Sequence, residues 1–203
     1  MSASLRAPMT VVAGASIGNP MQLTAAGNVN FKGRKMTLDL FTKRTGRIEF
    51  VTPKIFTDSI GPFDVDICAA RGSYNKIGKR NYYGPTGSRD CGLKAKLKSS
   101  DFVWCNPPFG LKNGMREFIE KMAEHNNGIL ICPSLVGSIV FHEVVYPNAK
   151  WLYFFRGGFT FETLEGEKAI SYSGMTPAIL IGFGDESLKR VKNCTKPGRL
   201  VLL

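Results

Sequence analysis

The chain has 203 residues, 43% of them hydrophobic, which is enough for one well-buried core with a small appendage and too short for two large domains. Its 27 Lys and Arg against 16 Asp and Glu give a formal net charge of +11, which favours a polyanionic partner such as nucleic acid, held through phosphate contacts and counterion release. Five cysteines without a CxxC pair and two distant histidines, His125 and His142, offer no metal-ligand pattern, and no apolar run reaches the roughly 18–20 residues needed to cross a bilayer.

Residues 1–47 carry much Ala, Gly, Ser, Thr and Asn but little periodic hydrophobicity, Val11-Val12 being the only compact apolar pair before Phe31. They read as an N-terminal extension, partly disordered, whose basic part from Phe31 onward could reach DNA or the far face of a sheet. Residues 48–203 form the one expected folded domain. Thr52 is a good helix cap and Pro53 a good first helical residue for a segment through Ile60, which Gly61-Pro62 ends. Phe63-Asp64-Val65-Asp66-Ile67-Cys68-Ala69-Ala70 alternates as a strand and then opens into small residues, as a first strand approaching a ligand would. After Ala70, Gly72, Gly78, Gly84, Pro85 and Gly87 interrupt every short run, and the pattern leaves helix and strand both open there.

Phe102-Val103-Trp104-Cys105 reads as a short buried strand, and Met115, Phe118, Ile119 and Met122 fall at helical spacing. Gly128 stops that helix, Ile129-Leu130-Ile131-Cys132 is a fully apolar strand, and residues 138–145 read as another helix. Residues 151–155 and 178–183 are rich in β-formers and flank a glycine-rich, mixed-charge loop over 156–176. Strands alternating with helices predict an α/β three-layer sandwich with a mostly parallel sheet, its last strands open to antiparallel pairing. Cys68, Cys105 and Cys132 lie within or beside apolar runs, where cysteine behaves as a small core residue. The odd cysteine count and the lack of a signal peptide point to a reducing cytoplasm.

The most informative segment is Asn106-Pro107-Pro108-Phe109, directly after the buried run ending at Cys105 and directly before Gly110. Each proline locks its own φ and removes a backbone N–H, and Pro108 also pushes Pro107 out of the helical region, so the turn is stiff and rich in acceptors. The side-chain oxygen of Asn106 and the carbonyl of Pro107 can take the two N–H bonds of an exocyclic amino group. Phe109 can stack on the base that carries it. Such stacking contributes roughly 1–3 kcal/mol toward holding an extruded base. Alone, the tetrapeptide also fits a proline-terminated core strand.

Together these residues resemble the phage-type DNA N-6-adenine methyltransferases, the Dam family of bacteriophages and prophages. The resemblance runs from about residue 50 to 184. It rests on Thr52-Pro53, on Phe63 through Ala70, on Asp90-Cys91-Gly92-Leu93, on Val103 through Gly110, and on Phe154-Phe155-Arg156-Gly157 with Phe159 and Phe161. Residues 1–47 lie outside it. The resemblance implies a Rossmann-like methyltransferase fold, S-adenosylmethionine as donor and adenine N6 in double-stranded DNA as acceptor, with no metal. It implies that Asn106, Pro107, Pro108 and Phe109 form the catalytic corner. It also implies that Thr52, Pro53, Asp66, Cys68, Ala69 and Asp90 hold the donor, with Asp66 facing its ammonium group and Asp90 its adenine. Asp64 is the neighbouring alternative to Asp66; the two share a face of the strand, and Asp66 lies nearer its carboxyl end. The chain departs from the wider methyltransferase pattern in carrying Ala69-Ala70-Arg71-Gly72 where Gly-x-Gly would stand.

Basic residues cluster between Arg71 and Lys98, with Asp90 the only acid among them, as a folded face carrying dispersed charge would. Lys79, Arg80 and Arg156 are the candidate phosphate contacts, and Arg156 is equally able to pair with Glu162 or Glu165. Asn-Pro-Pro-aromatic also serves other amino acceptors. Cytosine N4, RNA and a protein glutamine therefore stay open as acceptors, as does a catalytically silent DNA-binding relative.

Overall fold

The chain divides into two units, Met1–Arg44 and Thr45–Leu203. The computed structural model describes residues 29–31, 34–36, 51–83, 89–108, 114–167 and 177–203. In the first unit the described residues form an antiparallel hairpin of β1 (Val29–Phe31) and β2 (Arg34–Met36), with Val29 opposite Met36. The disorder expected over residues 1–47 otherwise falls on residues outside those described.

In the second unit the chain runs through α1 (Lys54–Ile60), β3 (Phe63–Asp66), β4 (Gly78–Asn81), β5 (Val103–Cys105), α2 (Gly114–His125) and β6 (Gly128–Pro133). It continues through α3 (Tyr146–Asn148), β7 (Trp151–Phe155), β8 (Ala178–Phe183), α4 (Asp185–Val191) and β9 (Gly198–Leu202). Seven strands make one sheet in the order β4-β3-β5-β6-β8-β7-β9. The fold is α/β, as the sequence predicts, but the sheet is mixed rather than mostly parallel. The first three pairings in that order are parallel, whereas β8 runs against both β6 and β7, and β9 runs against β7. Antiparallel neighbours need no crossover helix between them, and the segment between β7 and β8 carries turn residues rather than a helical repeat.

Strict alternation on the central strands builds the two faces. Val103 and Cys105 of β5 and Leu130 and Cys132 of β6 pack toward Phe118, Ile119 and Met122 of α2. Trp104, Ile129 and Ile131 pack toward Phe56 and Ile60 of α1 and Val191 of α4. Helices therefore cover both sides, and the central strands are apolar on both. Among the described residues no helix is long and apolar enough to cross a membrane.

One local reading changes, and two others gain detail. Thr52 does not cap α1: Pro53 stands at that position with ψ 136°, and its carbonyl accepts from Phe56 N and Thr57 N at 3.1 Å, so the helix starts at Lys54. The helix expected over 138–145 is present, with residues 139 and 140 α-helical and a π-helical turn at Phe141–Val145 running into α3. The glycine-broken region after Ala70 contributes β4, an edge strand whose Lys79 and Arg80 are exposed, and a 3-10 turn at Gly92–Lys94.

That turn lies flush against the end of β3. A Cβ on Gly92 would stand 1.8 Å from the carbonyl oxygen of Ile67, a backbone atom that cannot yield without moving the strand. Gly92→Ala is therefore expected to lower stability by about 1–3 kcal/mol, the usual cost of overpacking, and to appear as a lower urea midpoint with an unchanged slope.

Candidate functional site

β3 is flanked by β4 on one side and β5 on the other, so the strand order reverses at the β3/β5 pair. In open α/β sheets, ligands bind in the crevice outside the carboxyl ends of the strands at such a point. β3 ends at Asp66, whose register partner on β5 is Trp104, and β5 ends at Cys105, immediately before Asn106. The Asn-Pro-Pro corner and the acid of the first strand thus emerge side by side because their strands are paired neighbours.

A crevice opens there, lined by Thr52, Asp66, Cys68, Ser73, Asn75, Trp104 and Asn106 among others. Its volume of about 10 Å³ admits roughly one water molecule and does not by itself enclose a nucleoside-sized ligand. Four predicted site residues, Thr52, Asp66, Cys68 and Asn106, therefore share one small space.

Asp66 is 3% exposed, and its Oδ1 accepts the backbone N–H of Cys68 at 2.9 Å. Burial disfavours the charged form and pushes its pKa up to about 7, with the Cys68 bond pulling the other way. Asp64 has a different role. It pairs with Lys79 at 2.8 Å and accepts the Phe102 N–H at 2.9 Å, and these bonds hold its carboxyl below the usual carboxylate range. Asp64 thus ties β3 to its neighbours, and Asp66 is the acid that faces the crevice.

Asn106 donates through Nδ2 to Thr52 Oγ1 at 3.4 Å, an arrangement that leaves its Oδ1 as the acceptor. Pro107 is buried and Pro108 exposed. Phe109 lies outside the described residues. Pro53 joins Thr52 to α1. The first helical amide, Lys54 N, is already bonded to the Tyr74 hydroxyl at 3.3 Å, and that hydroxyl also bonds Glu162.

Two further crevice residues were not singled out by sequence. Asn75 is buried and donates through Nδ2 to the Thr52 carbonyl at 2.8 Å and to Thr57 Oγ1 at 3.3 Å, fixing the site's threonine to the loop after β3. Ser73 accepts the Asn75 N–H at 3.1 Å and steadies that loop. The only sequence signal for them is a pair of polar residues in a glycine-bounded loop. Trp104 is fully buried, and its indole N–H has no hydrogen-bond partner among the described residues. The crevice wall therefore includes a residue whose buried donor is unsatisfied, beside a carboxyl with one backbone partner.

Other predicted residues stand apart from this space. The Ala69 N–H donates to the Tyr82 carbonyl at 2.9 Å, and its neighbour Ala70 lines the crevice instead. Asp90 is exposed and pairs with Arg71 at 3.4 Å. Lys79 pairs with Asp64 and Arg80 with Asp101 on the sheet edge. Arg156 is exposed just past β7, and among the described residues neither Glu162 nor Glu165 pairs with it. All five cysteines are free; the Cys68 and Cys105 thiols lie 3.6 Å apart, and burial raises the pKa of both.

A second cavity, of about 320 Å³, opens on the same rim where β6 and β7 end and β8 begins. Ser134, Phe154, Phe155, Gly157, Pro177 and Ile179 contribute to its walls, which are mainly apolar. Gly157 and Gly158 have φ of 78° and 80°, the left-handed conformation that lets the backbone turn away directly after β7. No family model, curated protein or solved structure matches the chain.

Proposed function

We propose that this chain is a Rossmann-like, S-adenosylmethionine-dependent methyltransferase that transfers a methyl group to N6 of adenine in double-stranded DNA. The observation that carries the reading is the meeting of Asp66 and Asn106 in one crevice at the strand-order reversal. The acid supplies a counter-charge for the donor's ammonium group. The Asn106 Oδ1 and the Pro107 carbonyl supply the two acceptors that an exocyclic amine requires. The residues present suit the donor's polar end, and the crevice residues form one wall of its site. When bound, the donor supplies an electrophilic methyl on a sulfonium.

The cavity of about 320 Å³ on the same rim is at the lower end of the sizes that hold small ligands. The net charge of +11 supports a nucleic-acid partner. The chain's own contribution to the chemistry is orientation. The adenine N6 lone pair is delocalised into the ring. Accepting both amino hydrogens at Asn106 and Pro107 draws the nitrogen toward a tetrahedral form, with its lone pair free for in-line attack.

The full-length protein incubated with tritiated-methyl donor and unmethylated duplex DNA, RNA or protein is expected to label DNA, with the label recovered as N6-methyladenine on nucleoside analysis. Label in RNA, in protein or in N4-methylcytosine would replace the acceptor. Failure to bind S-adenosylmethionine in calorimetry would favour a silent DNA-binding protein.

A further inference from the structure

We infer that the Trp104 indole N–H binds the carboxylate of the donor's amino-acid end, so that Trp104 and Asp66 together hold its two opposite charges. The inference rests on the methyltransferase reading above and adds a binding role that the resemblance does not give to this residue. Trp104 is fully buried and lines the crevice with Asp66 and Asn106, yet among the described residues its Nε1–H has no partner. Only Ser138 Oγ shares that state among them, and it lines neither cavity.

The chain's other tryptophan is treated differently. Trp151 Nε1 donates to Ser187 Oγ at 2.9 Å, and that hydroxyl donates onward to the Gly184 carbonyl at 2.6 Å. One buried indole thus has a dedicated acceptor, and the one at the crevice has none. An indole N–H can only donate, and a buried donor is costly to leave unmet, so at a crevice wall it points to an acceptor on the ligand. The neighbouring donors are already engaged within the fold. Ser73 Oγ donates to the Asn75 carbonyl at 3.2 Å, Asn75 Nδ2 to the Thr52 carbonyl and Thr57 Oγ1, and Asn106 Nδ2 to Thr52 Oγ1. Lys54 N, beside the Thr52-Pro53 pair that the resemblance assigns to the donor, is bonded to the Tyr74 hydroxyl.

Register explains why the acceptor is a carboxylate. Trp104 is the partner of Asp66 across the parallel β3/β5 pair, so the two side chains leave one face of the sheet on strands about 4.8 Å apart. The donor's amino-acid end carries its ammonium and its carboxylate on one carbon. A ligand that sets the ammonium at Asp66 therefore brings the carboxylate to the adjoining position. There the indole offers a neutral donor, which meets the anion without burying a further charge. The crevice has a volume of about 10 Å³, room for one water-sized group and hence for a single carboxylate oxygen.

The test is calorimetry of the full-length protein and its Trp104→Phe variant with S-adenosylmethionine and with decarboxylated S-adenosylmethionine, which keeps the amine, the sulfonium and the adenosine. The variant is expected to bind S-adenosylmethionine about tenfold or more weakly and the decarboxylated ligand within about twofold of wild type, because only the first has the carboxylate for the indole to meet. An equal loss on both ligands, or no loss on either, overturns the inference and leaves the methyltransferase reading standing. A second readout needs no change at Trp104. The chain has two tryptophans, so the isotope-labelled protein gives two indole N–H signals in a nitrogen–proton correlation spectrum, and Trp151→Phe identifies which is which. S-adenosylmethionine is expected to move the Trp104 signal downfield and to leave that of Trp151 in place, and the decarboxylated ligand to move neither. A Trp104 signal that stays still on binding, or that moves alike with both ligands, also overturns the inference. A wild type that binds neither ligand overturns the methyltransferase reading itself, and the inference with it.

Discussion

Asn106→Ala is expected to lower methyl transfer to DNA by about 100- to 1,000-fold or more in kcat while leaving S-adenosylmethionine binding measurable by calorimetry. The split follows from where the side chain stands. Its Nδ2 is committed to Thr52 at 3.4 Å, so the amide is held in one orientation and its oxygen is presented as a fixed acceptor. Removing it leaves the amine held only by the Pro107 carbonyl, and the nitrogen lone pair stays in conjugation with the ring. A reacting pair that must approach to about 3–3.5 Å in line loses most of its advantage when one of two anchors is gone. Asn106→Asp retains an acceptor at the same position and is expected to keep a measurable fraction of the rate. Undiminished transfer by Asn106→Ala would refute the assigned corner.

The second large effect concerns Asp66. With its pKa held near 7 by burial, the carboxyl is mostly protonated below neutrality, and only the ionised form attracts an ammonium group. Donor affinity is therefore expected to weaken about tenfold per pH unit below about pH 7 and to level off above it. Asp66→Asn should abolish that dependence and weaken binding by at least about 30-fold, the usual cost of truncating one partner of a buried charge pair.

The stability of the free protein should move the opposite way. The unfolded carboxyl ionises near its ordinary value of 3.8, whereas the folded one holds its proton to about 7, so between these values the folded state binds more protons and stability falls as pH rises. The loss is about 4 kcal/mol in all across that window. Asp66→Asn escapes it, so thermal melts at pH 8 should find the free variant more stable than the wild type even as it fails to hold the donor. A wild-type profile that is flat against the variant from pH 4 to 8 would remove Asp66 from the crevice's electrostatics.

Much of this site is legible in the sequence because its parts sit on strands with plain alternation. Phe63 through Asp66 and Val103 through Cys105 read directly as strands, and their pairing brings the Asp66 carboxyl to Asn106. Lys79 and Arg80 illustrate the limit. They lie on an edge strand of Gly, Lys, Arg and Asn, which carries no hydrophobic period, so neither the strand nor their pairing with Asp64 and Asp101 leaves a pattern. Thr52 lines the crevice but does not cap α1. A hydroxyl before proline looks like a cap, and only the fold reveals an asparagine 54 positions later within reach of it. Asn75 depends on three separate segments converging, which local composition does not encode. Charge is the weakest guide to individual contacts, since Asp90 resembles a donor ligand in its motif yet pairs with Arg71 at the surface.

β5 is only three residues long, fully buried on both faces, with Trp104 filling one layer and Cys105 the other. A slip of one residue would exchange the largest side chain of the strand for one of the smallest in each layer, so the packing itself indexes where Asn106 leaves the sheet. Evolution and engineering alike should then find this strand forgiving of conservative replacement but closed to any single-residue insertion or deletion, because a frame change would misplace the corner while apolar content stayed the same.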